Sequence, residues 1–153
     1  MNTRTLRWTA LAGIFFISQL PANLTAQTEP IEPDAAAVEV INALIQALGM
    51  EDEAARTQAL LPLLHPVLLT PDGTDIVRNM KMIIGRSLAD MQGFVAPAEF
   101  EKVERVGGGH RFGSLEVDTV DRYYAKKGDG SSSMIPIVWS SVGGGPKVVG
   151  IPR

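Results

Sequence analysis

The 153-residue sequence contains no cysteine. This absence excludes disulfide bonds, thiol nucleophiles and thiolate metal ligands, so stability has to come from packing. Positive charge is also in short supply, because 14 lysines and arginines stand against 17 aspartates and glutamates, for a net charge of −3. A mildly acidic chain lacks the basic surface patch that would attract nucleic acid or an anionic membrane surface. We therefore expect neither of these as a partner.

Histidine is scarce as well, with only His65 and His110 in the chain. No His-x-x-x-His pair or acidic triad accompanies them, so the sequence predicts no metal site. His65 follows a leucine-rich segment and precedes Pro66, a context that favours a helix C-terminal position beside the helix dipole. His110 follows three glycines, and we expect it in solvent at the tip of a loop.

The glycines at 107–109 raise the question of a phosphate-binding loop. Such a loop needs backbone N–H groups that converge at a helix N-terminus, and usually a lysine. Here no lysine is in place and a strand pattern follows the glycines. The stretch therefore predicts a hairpin connection, and no cofactor is expected.

Long apolar runs are confined to the amino terminus. Arg4 and Arg7 precede an apolar stretch from Trp8 to Leu20, which Pro21 ends, and small residues continue to Ala26. A membrane anchor is the alternative interpretation, but a span needs about 20 residues. The pattern predicts a signal peptide cleaved after Ala26 and a secreted or periplasmic protein without membrane association.

The remaining chain divides into a proline-containing linker, 27–33, expected to be disordered, and a single domain, 34–153. Helical spacing of apolar residues runs to Leu48, with Asp34 placed to cap the start and Gly49 the end.

A second helix is predicted after the acidic residues 51–53, with a kink or a break at Pro62. Helical spacing returns over residues 75–93, which predicts a third helix.

After Gly93 the pattern changes to strands. Alternation is weak over 99–106 and clear over 114–125, and residues 133–142 are apolar on both faces, as in a central strand. A last strand is predicted at 147–151. Helices followed by antiparallel strands predict an α+β fold, with the helices packed on a curved sheet of three or four strands.

The helix pair "VINALIQALGMEDEAARTQALLPLLHP" and the closing "KVVGI" resemble segments of the nuclear transport factor 2-like superfamily, which includes SnoaL-like proteins and ketosteroid isomerase. The matching points are Gly49 to Glu53, Leu64-His65-Pro66 and Lys147 to Ile151. The resemblance implies a cone-shaped domain with a cavity between helices and sheet. It does not carry catalysis over, since the family's isomerases draw a tyrosine from the helical layer, whereas Tyr123 and Tyr124 both lie on a predicted strand.

Asp121 is the one catalytic candidate. Strand alternation places it on the same face as Val117 and Tyr123, and if that face lines the cavity, apolar surroundings raise the pKa of a carboxyl group there. The alternative, an exposed Asp121 near the strand end paired with Lys126 or Arg105, is the commoner arrangement.

The sequence favours an exported, non-catalytic module that binds a small apolar ligand or associates through its sheet, for instance as a homodimer. Val117, Trp139 and His65 are the candidate ligand contacts. A small SnoaL-like isomerase, lyase or cyclase, with Asp121 as general base and Tyr123 as proton donor, is the alternative. A purely structural or immunity-type partner protein is a third interpretation.

Overall fold

The computed structural model describes residues 27–69, 93–112, 114–140 and 144–150. In these parts of the chain the elements run, in order, β1 (Thr28–Pro30), α1 (Ala35–Leu48), α2 (Glu53–Leu60), α3 (Pro66–Leu69), β2 (Phe100–Val106), β3 (His110–Phe112), β4 (Leu115–Val117), β5 (Val120–Lys126), β6 (Ser132–Ser140) and β7 (Gly145–Val148). Helices combined with antiparallel strands make the fold α+β, as predicted. The third predicted helix lies outside the described residues. No helix within them is long and apolar enough to cross a membrane.

The helix α1 forms as its sequence predicts. The Asp34 carboxylate accepts hydrogen bonds from the backbone N–H groups of Ala36 and Ala37, at 2.8 and 3.3 Å, so two N-terminal donors are satisfied. Gly49 ends the helix, and Ile41 lies fully buried in its apolar stripe. Burial of this stripe holds α1 against the sheet.

The second helix is also close to prediction. Asp52 caps α2 through the N–H of Ala55, at 2.7 Å, and the helix ends at Leu60, before Pro62. The short helix α3, which the sequence did not predict, then begins at Pro66. Proline is favourable at a first helical position, because the N–H that it lacks would have no partner there.

Within the described ranges, five strands form one antiparallel sheet in the order β1-β2-β5-β6-β7, where the sequence predicted three or four. Its inner face packs against α1 and carries Val103, Tyr123 and Ile135, which lie side by side on neighbouring strands. Its outer face carries Val120 and Val138. The inner face therefore holds the main hydrophobic core.

A separate two-stranded ribbon, β3 paired with β4, is inserted between β2 and β5. Its apolar side chains Phe112, Leu115 and Val117 pack on Val120 and Val138. The strand predicted over 114–125 is thus broken between β4 and β5.

This break corrects one sequence prediction, because strict alternation no longer holds across it. Val117 packs on the outer face, whereas Asp121 and Tyr123 lie on the inner face. The alternation rule failed here because β4 takes its hydrogen-bonding partner from β3 instead of the main sheet.

The segment 27–33, expected to be a disordered linker, contributes the edge strand β1. Its pairing is anchored at both ends, since Gly107 N–H donates to the Gln27 carbonyl at 2.9 Å and Ile31 N–H donates to the Val103 carbonyl at 3.1 Å. Residues 27 and 31 therefore direct their backbone N–H and C=O groups toward β2. The backbone groups of Pro30 point the other way, away from the sheet. A proline there removes the donor that another strand would use.

The other edge strand, β7, has the same feature. Val148 directs its backbone groups away from β6, exchanging hydrogen bonds with Leu63 and His65 at 3.0 and 2.8 Å. Pro146, two residues earlier, faces the same outward side. Both edges of the sheet thus carry a proline at an outward-facing position, which disfavours extension by another strand.

Candidate functional site

Three polar or aromatic side chains meet at one end of the inner face. Asp121, near the start of β5, lies opposite Arg105 of β2 and opposite Ile137 of β6. Trp139 is two residues beyond Ile137, so it shares the inner face and reaches Asp121 diagonally. We call Arg105, Asp121 and Trp139 the Arg-Asp-Trp cluster.

The carboxylate is the centre of the cluster. Arg105 donates from Nε to Oδ1 at 2.7 Å and from Nη2 to Oδ2 at 2.8 Å, a bidentate pair. Trp139 donates from Nε1 to Oδ2 at 3.1 Å. The hydrogen bond to Asp121, followed by the charge of that carboxylate, raises the pKa of Arg105. The cluster therefore joins three strands through one buried acceptor.

Exposure differs sharply within the cluster. Asp121 is only 2% exposed, whereas the Arg105 side chain is 40% exposed and Trp139 is 46% exposed. Asp121 does pair with Arg105, as one sequence interpretation had it, but the expected exposure was wrong, because the guanidinium and the indole cover the carboxylate. The surface of this cluster is therefore formed by Arg105 and Trp139.

Tyr123 lies on the same face and is completely buried. Its hydroxyl accepts a hydrogen bond from the N–H of Asp34 at 3.2 Å, at the start of α1. The ring and that of Phe100 pack in a T-shaped arrangement, with the ring centres 5.2 Å apart. Burial raises the pKa of the Tyr123 phenol. This side chain connects the sheet to α1 and has no access to solvent.

His65 is found at a helix start, not at the helix C-terminus that the sequence predicted. Its Nδ1 accepts a hydrogen bond from the N–H of Val67 at 3.2 Å, so the ring caps α3. The buried position, and then the charge of Lys147, lower the pKa of His65. A neutral ring is required for Nδ1 to act as an acceptor. His65 belongs to the start of α3 beside β7, not to the Arg-Asp-Trp cluster.

The glycine-rich stretch connects β2 to β3 and turns the chain out of the main sheet. Gly108 and Gly109 have φ angles of 102° and 77°, in the left-handed region that favours glycine. A strand follows, so the helix N-terminus that would bind phosphate is missing. His110 is half-buried rather than solvated at a tip, and its Nε2 donates to the Val106 carbonyl at 3.0 Å.

A shallow groove of about 300 Å³ lies along the ribbon. It is lined by Gly109, His110, Arg111, Glu116, Val117 and Asp118. The groove therefore places Val117 beside charged side chains and away from the inner face of the main sheet.

The sequence placed Asp121, Tyr123 and Trp139 among the candidate site residues, and the structure brings them to one face. It separates Val117 and His65 from them. The contact that sequence reasoning missed is the hydrogen bond between Trp139 and Asp121, since it depends on the register of β5 against β6. No signal in the sequence specifies that register.

The described residues define an α+β domain with a buried carboxylate, paired with a partly exposed arginine, at one end of the core face of its sheet. They contain no group of three or more His, Asp or Glu side chains that could hold a metal ion. No family model, no curated protein and no solved structure matches the chain.

Proposed function

We propose that the chain is an exported, non-catalytic binding module of the nuclear transport factor 2-like type, with a cone-shaped domain that binds a small apolar ligand. The Arg-Asp-Trp cluster would form the recognition surface. One observation carries this proposal: the carboxylate of Asp121 is enclosed and hydrogen-bonded, while the indole of Trp139 is held by it and remains 46% exposed.

The geometry at Asp121 speaks against a general base. A base has to come within hydrogen-bonding distance of the proton that it removes. Both oxygens of Asp121 already accept hydrogen bonds from neighbouring side chains, and only 2% of the residue is exposed. Tyr123, the proposed proton donor of the alternative enzyme, is fully buried. The arrangement supports a structural role for both residues.

The geometry at Trp139 suits recognition. Its only polar atom, Nε1, is bonded to Asp121, so the exposed part of the ring is apolar. A side chain that is already held in place loses less conformational entropy on binding. Tryptophan and arginine are also the residue types most enriched among energetically dominant contacts. We therefore expect the ligand to contact the exposed indole, with Arg105 beside it.

Export is the second part of the proposal, and its support is the basic and apolar pattern of residues 1–26. Cleavage after Ala26 would leave Gln27 at the amino terminus, immediately before β1. The strand β1 thus begins one residue after the proposed new amino terminus.

A retained ligand would test the proposal directly. The full chain is expressed in a host that exports it, and the exported protein is examined by native mass spectrometry for bound small molecules and for dimers. We expect a ligand on the wild type and its loss from Trp139→Ala. Val95→Ala is the matched control, because Val95 is an apolar side chain that is 60% exposed outside the cluster. Loss from both variants, or from neither, would contradict the proposed site, and a dimer that depends on Trp139 would identify a protein partner instead.

A further inference from the structure

Gln27 would be the first residue of the exported chain. We propose that this glutamine cyclises to pyroglutamate, so that the protein carries a neutral, blocked amino terminus. The inference rests on the export part of the proposed function, namely cleavage after Ala26, and is independent of ligand binding. The site consists of the α-amine and the side-chain amide of one residue.

The chemistry needs no partner beyond Gln27. The lone pair of the α-amine attacks the side-chain carbonyl carbon Cδ and forms a new N–Cδ bond. The bond between Cδ and Nε2 breaks, and the nitrogen leaves as ammonia after it takes up the proton that the amine releases. The product is a five-membered lactam, and nothing is oxidised or reduced. Asparagine or glutamate at this position would not undergo the reaction as readily, because asparagine would form a strained four-membered ring and glutamate would have to lose water from an ionised carboxylate.

The structure leaves Gln27 exposed while it holds the backbone carbonyl of this residue in place. Gln27 is exposed, and its side-chain amide makes no hydrogen bond to any residue that the structure describes. Its carbonyl oxygen accepts the hydrogen bond from Gly107 N–H at 2.9 Å. Ring closure involves N, Cα, Cβ, Cγ and Cδ and spares that carbonyl. The anchor of β1 on the main sheet is therefore compatible with the lactam.

The lactam would protect a short structural element. The strand β1 has only three residues, Thr28–Pro30, and covers the outer edge of β2. Removal of a few residues by an aminopeptidase would expose that edge, which includes the backbone of Arg105. A blocked terminus resists such trimming. Cyclisation also removes the positive charge of the α-amine, in the way that other terminal modifications do.

The test is the intact mass of the exported protein after expression of the full-length chain. Gln27→Ala is the matched variant that cannot cyclise. After several days in warm neutral buffer, we expect the wild type to have the mass of residues 27–153 less one ammonia and Edman sequencing to be blocked until a pyroglutamate-specific aminopeptidase is added. The variant should show the full mass of its residues 27–153 and sequence normally.

Three other results would each overturn the inference at a different step. A wild type with the full mass of residues 27–153 would leave the cleavage site intact and contradict cyclisation. A chain that begins at another residue after the leader would contradict the cleavage site. A chain that begins at Met1 would contradict export itself, whereas the first two results leave the test with Trp139→Ala unaffected.

Discussion

Arg105 and Asp121 face each other across the boundary between β2 and β5, and the guanidinium donates to both carboxylate oxygens, at 2.7 and 2.8 Å. This pairing is the arrangement expected of a structural carboxylate rather than of a catalytic base. A structural carboxylate stabilises the fold through its partners, whereas a functional base would be removed with little loss of stability, or even a gain.

Asp121→Asn is therefore expected to destabilise the protein. Asparagine presents one acceptor oxygen and an NH2 group, so Arg105 loses half of its bidentate pair and faces a donor. Breaking a buried pair costs about 3–5 kcal/mol, and the partial exposure of Arg105 reduces the expected loss to about 2 kcal/mol. Urea unfolding followed by circular dichroism measures this loss.

Asp118→Asn is the control for that experiment. Asp118 is exposed, and among the residues that the structure describes its one hydrogen bond runs from Gly109 N–H to its backbone carbonyl. Its free energy of unfolding should change by less than about 0.5 kcal/mol. Equal stabilities of the wild type and Asp121→Asn would show that the ion pair does not support the fold.

Tyr123→Phe tests the contact between the sheet and α1. The change removes the hydroxyl that accepts from Asp34 N–H and leaves the ring in place. We expect the free energy of unfolding to fall by about 1 kcal/mol and ligand retention to stay at the wild-type level. Full stability together with a loss of ligand would instead place the hydroxyl in the binding site.

The parts of the fold that depend on local sequence were predictable. The Asp34 cap, the end of α1 at Gly49 and the end of α2 before Pro62 all follow from residues that act on their own neighbours. The edge strand β1 was not predictable in this way, because three residues with a proline have no periodicity. They become a strand only through their pairing with β2.

The site was predictable only in part, for the same reason. Alternation correctly put Asp121 and Tyr123 on one face, but it also put Val117 there, since it cannot detect that β4 leaves the main sheet. Which cation pairs with Asp121 depends on the register between β2 and β5, a long-range property. The sequence interpretation left both Arg105 and Lys126 open, and the structure selects Arg105.

His65 should make stability depend on pH. Burial and Lys147 lower its pKa in the folded state below the ordinary value of 6.5. Below that value the unfolded chain binds a proton that the folded chain resists, so stability falls as the pH falls and levels off only below the folded pKa. Urea unfolding between about pH 8 and pH 5 would show this loss.

His65→Asn separates this effect from the titration of carboxylates. Asparagine is a good N-cap residue and can still accept from Val67 N–H, but it does not titrate. We expect the variant to lose less stability than the wild type over the same pH range. Parallel pH profiles would contradict the assignment to His65.

Pro30 is expected to keep the β1 edge from pairing with other strands. Pro30→Thr restores an outward N–H on an exposed edge, so we expect concentration-dependent self-association in sedimentation velocity at concentrations where the wild type shows none. Pro33→Thr changes an exposed proline outside the strands and serves as the control. If Pro30→Thr sediments like the control at every concentration, the proline does not protect the edge.

Trp139 allows the most direct test of the proposed recognition surface, because the only other tryptophan, Trp8, lies in the proposed leader. The exported protein is titrated with the apolar dye anilinonaphthalene sulfonate while the emission of Trp139 is recorded. We predict saturable quenching of the indole by energy transfer to the bound dye. Dye affinity should fall about tenfold in Trp139→Ala and stay unchanged in Val95→Ala. A dye that binds the wild type without quenching Trp139, or binds Trp139→Ala equally well, would contradict the account.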